Sequence, residues 1–235
     1  KSTTLYAMLS ELNNTAQNII TVEDPVEYTV AGINQVQVNN KAGLTFASGL
    51  RSILRQDPDI IMVGEIRDSE TAEIAVRASI TGHLVLSTLH TNDTASTIAR
   101  LVDMGIEPYM VSTSIIGIVS QRLVKRLCPS CRVEYPADDR EKELLGVENG
   151  RELKLYKAKG CNKCIRGYRG RIPIHEVMYL DENIRKLIDR RSSTNEIKKQ
   201  AMSGGMTTLK DSVNRIAIEG ITSMEEVMRI GYTAE

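Results

Sequence analysis

The stretch RQDPDIIMVGEIRD, residues 55–68, decides the fold class of this chain. Its centre is a short apolar run that ends on a carboxylate, Glu65, and Pro58 ends the helix-like segment before it. An unbroken apolar run of this length is typical of a strand buried on both faces of a sheet. We therefore predict a buried strand here, with Glu65 at its carboxyl end.

Helix-like and strand-like segments alternate on both sides of this strand. A helix is predicted at Thr3–Leu12, a strand at Asn18–Glu23 and a hairpin that turns at Ala31-Gly32. The other predicted elements are helices at 45–56, 69–82 and 93–105 and a strand at 83–90. Strands that alternate with helices indicate an α/β fold with a mostly parallel sheet, which binds ligands at the carboxyl ends of its strands.

The two halves of the 235-residue chain differ in charge. Residues 1–120 carry 7 Lys and Arg against 13 Asp and Glu, whereas residues 121–235 carry 23 against 17. This asymmetry predicts two functional halves with different partners. We expect neither a membrane span nor a signal peptide, because no apolar run approaches the roughly 18–20 residues that cross a bilayer.

Polar side chains follow three successive predicted strands. They are Glu23, Asp24 and Glu27 after the first, Glu65, Arg67 and Asp68 after the second, and His83 and His90 on either side of the third. Acids after a strand are commonly solvated, and a single histidine is commonly a core or surface group. Three such groups at three successive strands nevertheless favour a site at one edge of the sheet.

The chain begins KSTTLYAML, residues 1–9, in which a lysine and two hydroxyl residues precede a helix-like segment. Lys1 and Ser2 fit the last two positions of the phosphate-binding loop GxxxxGK[ST], where lysine contacts phosphates and the hydroxyl binds Mg²⁺. A simple helix cap gives the same pattern. We expect the glycines of such a loop to precede Lys1.

Two CxxC pairs, Cys128 with Cys131 and Cys161 with Cys164, are separated by 29 residues. Four thiolates in paired knuckles form the tetrahedral ligand set that Zn²⁺ prefers, and a site without an open position is structural. Four unrelated thiols, a redox pair or an iron–sulfur cluster are the alternatives. The gap exceeds that of a compact zinc ribbon, so we expect the intervening segment to form a small excursion of its own.

Six segments resemble the ATPases that drive type II secretion and type IV pilus assembly. They are residues 1–13, 20–28, 50–68, 81–95, 101–128 and 167–177. The resemblance implies a RecA-like ATPase that assembles as a homo-hexamer with ATP between subunits. We accordingly expect a RecA-like P-loop NTPase core at 1–121, a zinc-binding tetracysteine subdomain at 122–180 and a helical C-terminal region at 181–235.

The resemblance also implies a role for each candidate residue. The nucleotide would be bound by Lys1, Ser2 and Thr3, and Mg²⁺ by Ser2 and Glu23. Glu65 would be the general base, and His90 would lie near the γ-phosphate. These groups would be supported by Asp24, Glu27, Arg67 and His83. Many NTPases have Asp-Glu where this chain has Gly64-Glu65, and the Asp helps to bind Mg²⁺. We therefore expect the acidic segment Glu23–Glu27 to share in binding the metal.

Arginines near this strand allow two interpretations. Arg51, Arg55 and Arg67 could stabilise phosphate charge directly. They could equally be ion-pair partners of acids in the same segment, namely Asp57, Asp59 or Asp68. The resemblance implies that the arginine fingers of this family come largely from an N-terminal domain that precedes residue 1.

The implied function is an ATP-hydrolysing motor that extrudes type IV pili or type II secretion pseudopili. A cytoplasmic location at the periphery of the cytoplasmic membrane is implied, with an inner-membrane platform protein as partner and no nucleic acid. Residues 122–171 carry 14 Lys and Arg against 7 Asp and Glu, which is either a docking surface or a solvated basic face. A RecA-like nucleic-acid translocase and a catalytically incomplete domain are the alternative functions.

Overall fold

The computed structural model describes residues 1–148 and 150–231, which form two compact units. The first unit consists of Lys1–Thr91, Ala95–Gly117 and Tyr179–Gln200. The second unit consists of Asn92–Thr94, Ile118–Met178 and the residues from Ala201 onward. None of the helices in the described part of the chain is long and apolar enough to cross a bilayer.

The strands belong to three sheets, one of four strands and two of two strands. The strands are β1 (Ile19–Glu23), β2 (Asn34–Gln37), β3 (Ile60–Val63), β4 (Leu84–Ser87), β5 (Gly117–Leu127), β6 (Val133–Pro136), β7 (Lys154–Lys157) and β8 (Tyr168–Tyr179). The first four strands form a parallel sheet in the order β2-β1-β3-β4. Every residue of β1 and β3 is buried, as expected for the inner strands of a covered parallel sheet.

Helices lie between β2 and β3 and between β3 and β4, as the sequence predicted, and further helices precede and follow the sheet in the chain. They are α1 (Ser2–Leu12), α2 (Phe46–Ile53), α3 (Ser69–Ile80), α4 (Thr94–Asp103), α5 (Pro108–Ser114), α6 (Asp139–Leu145), α7 (Glu182–Asp189), α8 (Thr194–Ser203), α9 (Leu209–Ile218) and α10 (Met224–Gly231). Side-chain caps set several of their starts: Thr45 and Ser48 form a capping box on α2, and Asp68 accepts the Thr71 N–H on α3 at 2.8 Å.

The hairpin predicted at Ala31-Gly32 is wrong. Strand β2 pairs with β1 in parallel register, with Thr21 opposite Gln35, and the preceding residues 24–33 form no strand. A side chain instead pairs with a backbone group of that loop: the Gln35 side-chain oxygen accepts a hydrogen bond from the Val30 N–H at 2.7 Å. A loop between β1 and β2 can therefore return the chain to the start of the sheet without an antiparallel partner.

The second unit contains the segment between the cysteine pairs. Strands β6 and β7 pair in antiparallel register, and α6 lies between them in the chain. Apolar side chains of α6, β7, β8, α9 and α10 form its core, including Leu145, Leu155, Ile174, Val213 and Val227. The expected excursion between the two CxxC pairs is thus a pair of antiparallel strands with an inserted helix, packed on the core of the second unit.

The two long strands β5 and β8, which pair with each other, have no counterpart in the sequence predictions. In β8, inward positions alternate with exposed ones, but one inward residue is a carboxylate, Glu176, only 2% exposed. Its oxygens accept the N–H and Oγ1–H of Thr94 at 2.9 and 2.6 Å and the Leu209 N–H at 3.3 Å. Because Glu176 occupies a buried position, the alternating hydrophobic pattern of a strand is interrupted in the sequence.

The domain boundaries predicted at 121/122 and 180/181 stay a prediction. Contacts within the chain group the C-terminal helices differently, because α7 belongs to the first unit and α9 to the second.

Candidate active site and cysteine cluster

The carboxyl ends of β1, β3 and β4 meet at a cleft of about 240 Å³ in the first unit. The predicted site residues that line it are Lys1, Ser2, Glu23, Asp24, Glu27, Glu65 and His90. Hydrogen bonds fix the strand ends: the Gly64 N–H donates to the Val22 carbonyl at 2.8 Å, and the Thr88 hydroxyl donates to the Gly64 carbonyl at 2.8 Å. The parallel sheet thereby brings three separate sequence segments to one edge.

The first residues of the chain form the side of the cleft that carries positive charge. Helix α1 begins at Ser2, and the Lys1 Nζ donates to the Leu89 carbonyl at 2.6 Å. The first amides of a helix lack intrahelical acceptors, and the helix dipole makes that end electropositive. An anion is therefore favoured at the start of α1, next to the lysine.

Glu23 is a buried carboxylate, 3% exposed, that accepts hydrogen bonds from three neutral donors. They are the Tyr6 hydroxyl at 2.5 Å, the Thr21 hydroxyl at 2.6 Å and the Gln35 side-chain N–H at 3.1 Å. A carboxylate has about four lone-pair sites, so this arrangement leaves capacity for a ligand in the cleft. Burial and the hydrogen bond to Glu23 raise the pKa of Tyr6, which stays a hydroxyl donor at neutral pH.

Glu65 lies between a guanidinium group and an imidazole. The Arg67 Nη2 donates to Glu65 Oε1, and the His90 Nε2 lies 3.4 Å from Glu65 Oε2. The hydrogen bond from Arg67 lowers the pKa of Glu65, against a smaller opposing effect of burial. The Glu65 side chain is 16% exposed, and those of Arg67 and His90 are 60% and 78% exposed. Glu65 is thus an ionised carboxylate whose partners face solvent.

Three predicted site residues do not contribute to the lining of the cleft. Of the described residues, Thr3, Arg67 and His83 do not line it. The His83 Nδ1 lies 2.9 Å from the Ala78 carbonyl, so His83 contacts the end of α3 at the opposite end of β4 from His90. A supporting role for His83 would have to act through that strand.

The arginine pairings differ from those predicted. Arg51 pairs with Glu70 at 2.5 Å, and Arg67 pairs with Glu65 rather than with Asp57, Asp59 or Asp68. Asp59 instead accepts the Asn18 N–H at 2.7 Å, and Asp68 caps α3. Both aspartates accept hydrogen bonds from backbone N–H groups, and Arg51 and Arg67 pair with glutamates instead.

The four cysteines of the second unit converge on one point. Their Sγ atoms all lie within 4.8 Å of one another, with 4.0 Å from Cys128 to Cys161 and 3.7 Å from Cys164 to both Cys131 and Cys161. A tetrahedral ion with bonds of about 2.3 Å separates its sulfur ligands by about 3.8 Å. The cluster therefore has the dimensions of a four-thiolate metal site.

Both CxxC pairs adopt the same turn. The Cys131 N–H donates to the Cys128 carbonyl at 3.2 Å, and the Cys164 N–H donates to the Cys161 carbonyl at 3.3 Å. The Cys161 N–H also donates to the Cys164 sulfur at 3.3 Å. Backbone N–H groups aimed at sulfur stabilise a thiolate, the form that binds metal. Gly167 supports this turn with φ of +84°, and a Cβ there would lie 2.5 Å from the Ala158 Cβ.

The comparison with protein families covers almost the whole chain. The sequence model of the family described as "Type II/IV secretion system protein" matches residues 1–229. The chain belongs to this family. Its membership confirms the resemblance that the sequence motifs predicted.

Relatives in the secretion-system family are about half identical to this chain over the aligned residues. Type II secretion system protein E of Pseudomonas aeruginosa is 54% identical over 231 residues, which cover 98% of this chain and 46% of that protein. Type IV pilus assembly ATPase PilB of Thermus thermophilus is 51% identical over 231 residues, covering 97% of this chain and 26% of that protein. The chain spans about half the length of the type II relatives it matches.

A solved structure of a pilus motor has the same fold. The crystal structure of the pilus retraction motor PilT with bound ADP superposes with a TM-score of 0.72 at 31% identity, over 98% of this chain and 57% of that one. Together with the parallel sheet and the clustered cysteines, this likeness confirms the predicted α/β, RecA-like fold class.

The predictions from sequence did not include the residues that donate hydrogen bonds to Glu23. Thr21 stands two positions before Glu23 on the same face of β1, and Tyr6 stands one helical turn after Ser2. Both spacings are visible in the sequence of this family member. Their partner is not, because the spacing does not say which strand α1 packs against.

Proposed function

We propose that this chain is the catalytic part of an ATP-hydrolysing motor that acts as a homo-hexamer to assemble type IV pili or type II secretion pseudopili. The observation that carries the proposal is the convergence of Lys1, Ser2, Glu23 and Glu65 on one cleft. Membership of the secretion-system family and the printed names of its relatives, which include ATPases of both machines, support it.

The cleft residues suit a nucleotide with Mg²⁺. Lys1, Ser2 and Thr3 would bind the phosphates at the start of α1, where the lysine charge and the positive end of the helix dipole favour anions. Ser2 and Glu23 offer the hydroxyl and carboxylate oxygens that Mg²⁺ prefers, and the bound ion would neutralise phosphate charge. Asp24 and Glu27, which line the same cleft, would orient water around that ion.

Glu65 would act as the general base. In hydrolysis, a water oxygen bonds to the γ-phosphorus, the bond to the bridging oxygen breaks, and the proton of that water passes to Glu65. His90 would lie near the γ-phosphate, since it reaches Glu65 from the loop after β4. Arg67 would stabilise Glu65 in its ionised form between turnovers.

The cysteine cluster would hold a structural Zn²⁺ through Cys128, Cys131, Cys161 and Cys164. Four sulfur ligands at these separations leave no open position for a substrate. The basic region at 122–171 would contact an inner-membrane platform protein, which would place the motor at the cytoplasmic face of that membrane.

The substitution Glu65→Gln tests the function. It keeps the size of the side chain but removes the proton acceptor, so hydrolysis should fall by about 10²–10⁴-fold while binding of a non-hydrolysable ATP analogue persists. The measurement uses the native gene product that contains this sequence. Glu70→Gln is the matched control, because Glu70 is exposed and pairs with Arg51 on α2.

Two outcomes would contradict the proposal. Hydrolysis that survives Glu65→Gln would remove the general base from the mechanism. Stimulation of hydrolysis by single-stranded DNA, without stimulation by the cytoplasmic domain of a platform protein, would indicate a nucleic-acid translocase.

A further inference from the structure

Tyr6 connects the start of α1 to the acidic segment. It lies in the core of the first unit with 1% of its surface exposed, four residues after Ser2 on the same helix. Its hydroxyl donates to Glu23 Oε2 at 2.5 Å and accepts the Glu27 N–H at 3.2 Å. One phenol oxygen thus bonds both to the last residue of β1 and to the loop that follows it.

The other carboxylate oxygen of Glu23 is held just as fully. The Thr21 hydroxyl reaches Glu23 Oε1 from β1 at 2.6 Å, and the Gln35 amide reaches it from β2 at 3.1 Å. The donors therefore come from a helix and two strands, and all three are neutral. Such donors fix the plane of a carboxylate without cancelling its charge.

We propose that Tyr6 is a positioning residue, which with Thr21 and Gln35 sets the orientation of the Glu23 carboxylate toward a divalent cation. This inference rests on the proposed function, in which Ser2 and Glu23 bind Mg²⁺. The ion demands near-ideal octahedral geometry, so a carboxylate free to rotate binds it less well. Tyr6 also joins that carboxylate to the helix that begins with Ser2, the other ligand.

Hydrogen-bond partners of metal ligands commonly contribute 10–100-fold to metal affinity. Tyr6→Phe removes one such partner and keeps the ring in its place. It should raise the Kd for Mn²⁺ by about tenfold, measured by electron paramagnetic resonance with a non-hydrolysable ATP analogue bound. The Mg²⁺ concentration that gives half-maximal hydrolysis should rise by a similar factor, and nucleotide affinity without metal should stay unchanged.

Tyr28→Phe is the matched control. The Tyr28 ring stacks on the Tyr6 ring with centroids 4.3 Å apart, and the residue is 55% exposed. The control removes a hydroxyl beside the same ring without removing a hydrogen bond to Glu23, so Mn²⁺ affinity should stay unchanged. If Tyr6→Phe does not fold, Thr21→Val removes a donor from the other oxygen at nearly constant shape and should weaken Mn²⁺ binding in the same way.

A metal-free measurement tests the contact itself. In urea denaturation, the effect of Tyr6→Phe on the midpoint should shrink when Glu23→Gln is already present, because the two residues share one interaction. Additive midpoints, or an unchanged Kd for Mn²⁺ in both Tyr6→Phe and Thr21→Val, would overturn the positioning role. Failure of the proposed function is distinguishable, because it would appear as hydrolysis that survives Glu65→Gln.

Discussion

At the candidate site, the chemical environment of each carboxylate depends more on its immediate hydrogen-bond partners than on its position in the sheet. Glu23 ends one inner strand of the sheet and Glu65 follows the other, yet Glu23 is surrounded by neutral donors and Glu65 by Arg67 and His90. The first arrangement keeps a carboxylate available to a cation. The second keeps a carboxylate ionised, which a proton acceptor requires.

Removing Arg67 should change the pH dependence of hydrolysis. Arg67 lowers the pKa of Glu65, so Glu65 stays ionised to lower pH than an isolated carboxylate. Arg67→Ala should raise that pKa, and the acidic limb of the rate–pH profile should move to higher pH. Because Arg67 is largely exposed, the shift should shrink at high salt.

Arg51→Ala is the control for this substitution. Arg51 pairs with Glu70 on exposed surface, so its removal should leave the acidic limb in place. An acidic limb that stays in place in Arg67→Ala at low salt would show that Arg67 does not control the ionisation of Glu65.

Among the elements, α3 is the first helix after β3 and Glu65, and a single side chain, that of Asp68, caps its start. Asp68→Ala should destabilise the protein by about 1 kcal/mol, because the Thr71 N–H in the first turn of α3 loses its hydrogen-bond acceptor. Asp68→Asn keeps an acceptor and should recover most of that free energy of unfolding, measured by urea denaturation. Equal losses in both variants would mean that the charge matters and the cap does not.

The sequence predicts those elements whose pattern is local. Strand β3 is a continuous apolar run and β1 is rich in β-branched residues, and the position of the acids at their carboxyl ends follows from the direction of the strands in a parallel sheet. The direction of β2 is not local, since the turn at Gly32 is compatible with a hairpin and only pairing with β1 decides otherwise. The hydrogen bond between Tyr6 and Glu23 likewise depends on how α1 packs, which no spacing in either segment reveals.

For the molecule as a whole, the cysteine cluster joins residues that are far apart in the chain. Zinc removal by a chelator should therefore reduce amide protection across 118–178 more than in β1 and β3, when followed by hydrogen exchange with mass spectrometry. The physical reason is that an ion bound by the four thiolates would link both CxxC turns of the second unit, whereas all four cysteines lie outside the first unit.

Restoring zinc should restore protection, which controls for damage by the chelator. Protein purified under reducing conditions that contains no zinc, with full protection of 118–178, would contradict a structural metal site.

The path of the chain between the two units has a consequence for how such a protein can change over generations. The polypeptide passes from one unit to the other five times, so each unit is assembled from separate stretches of gene. A recombination event with one breakpoint can transplant neither unit intact. The two units should therefore be inherited together, and divergence between lineages should proceed by substitution within units rather than by exchange of a whole unit.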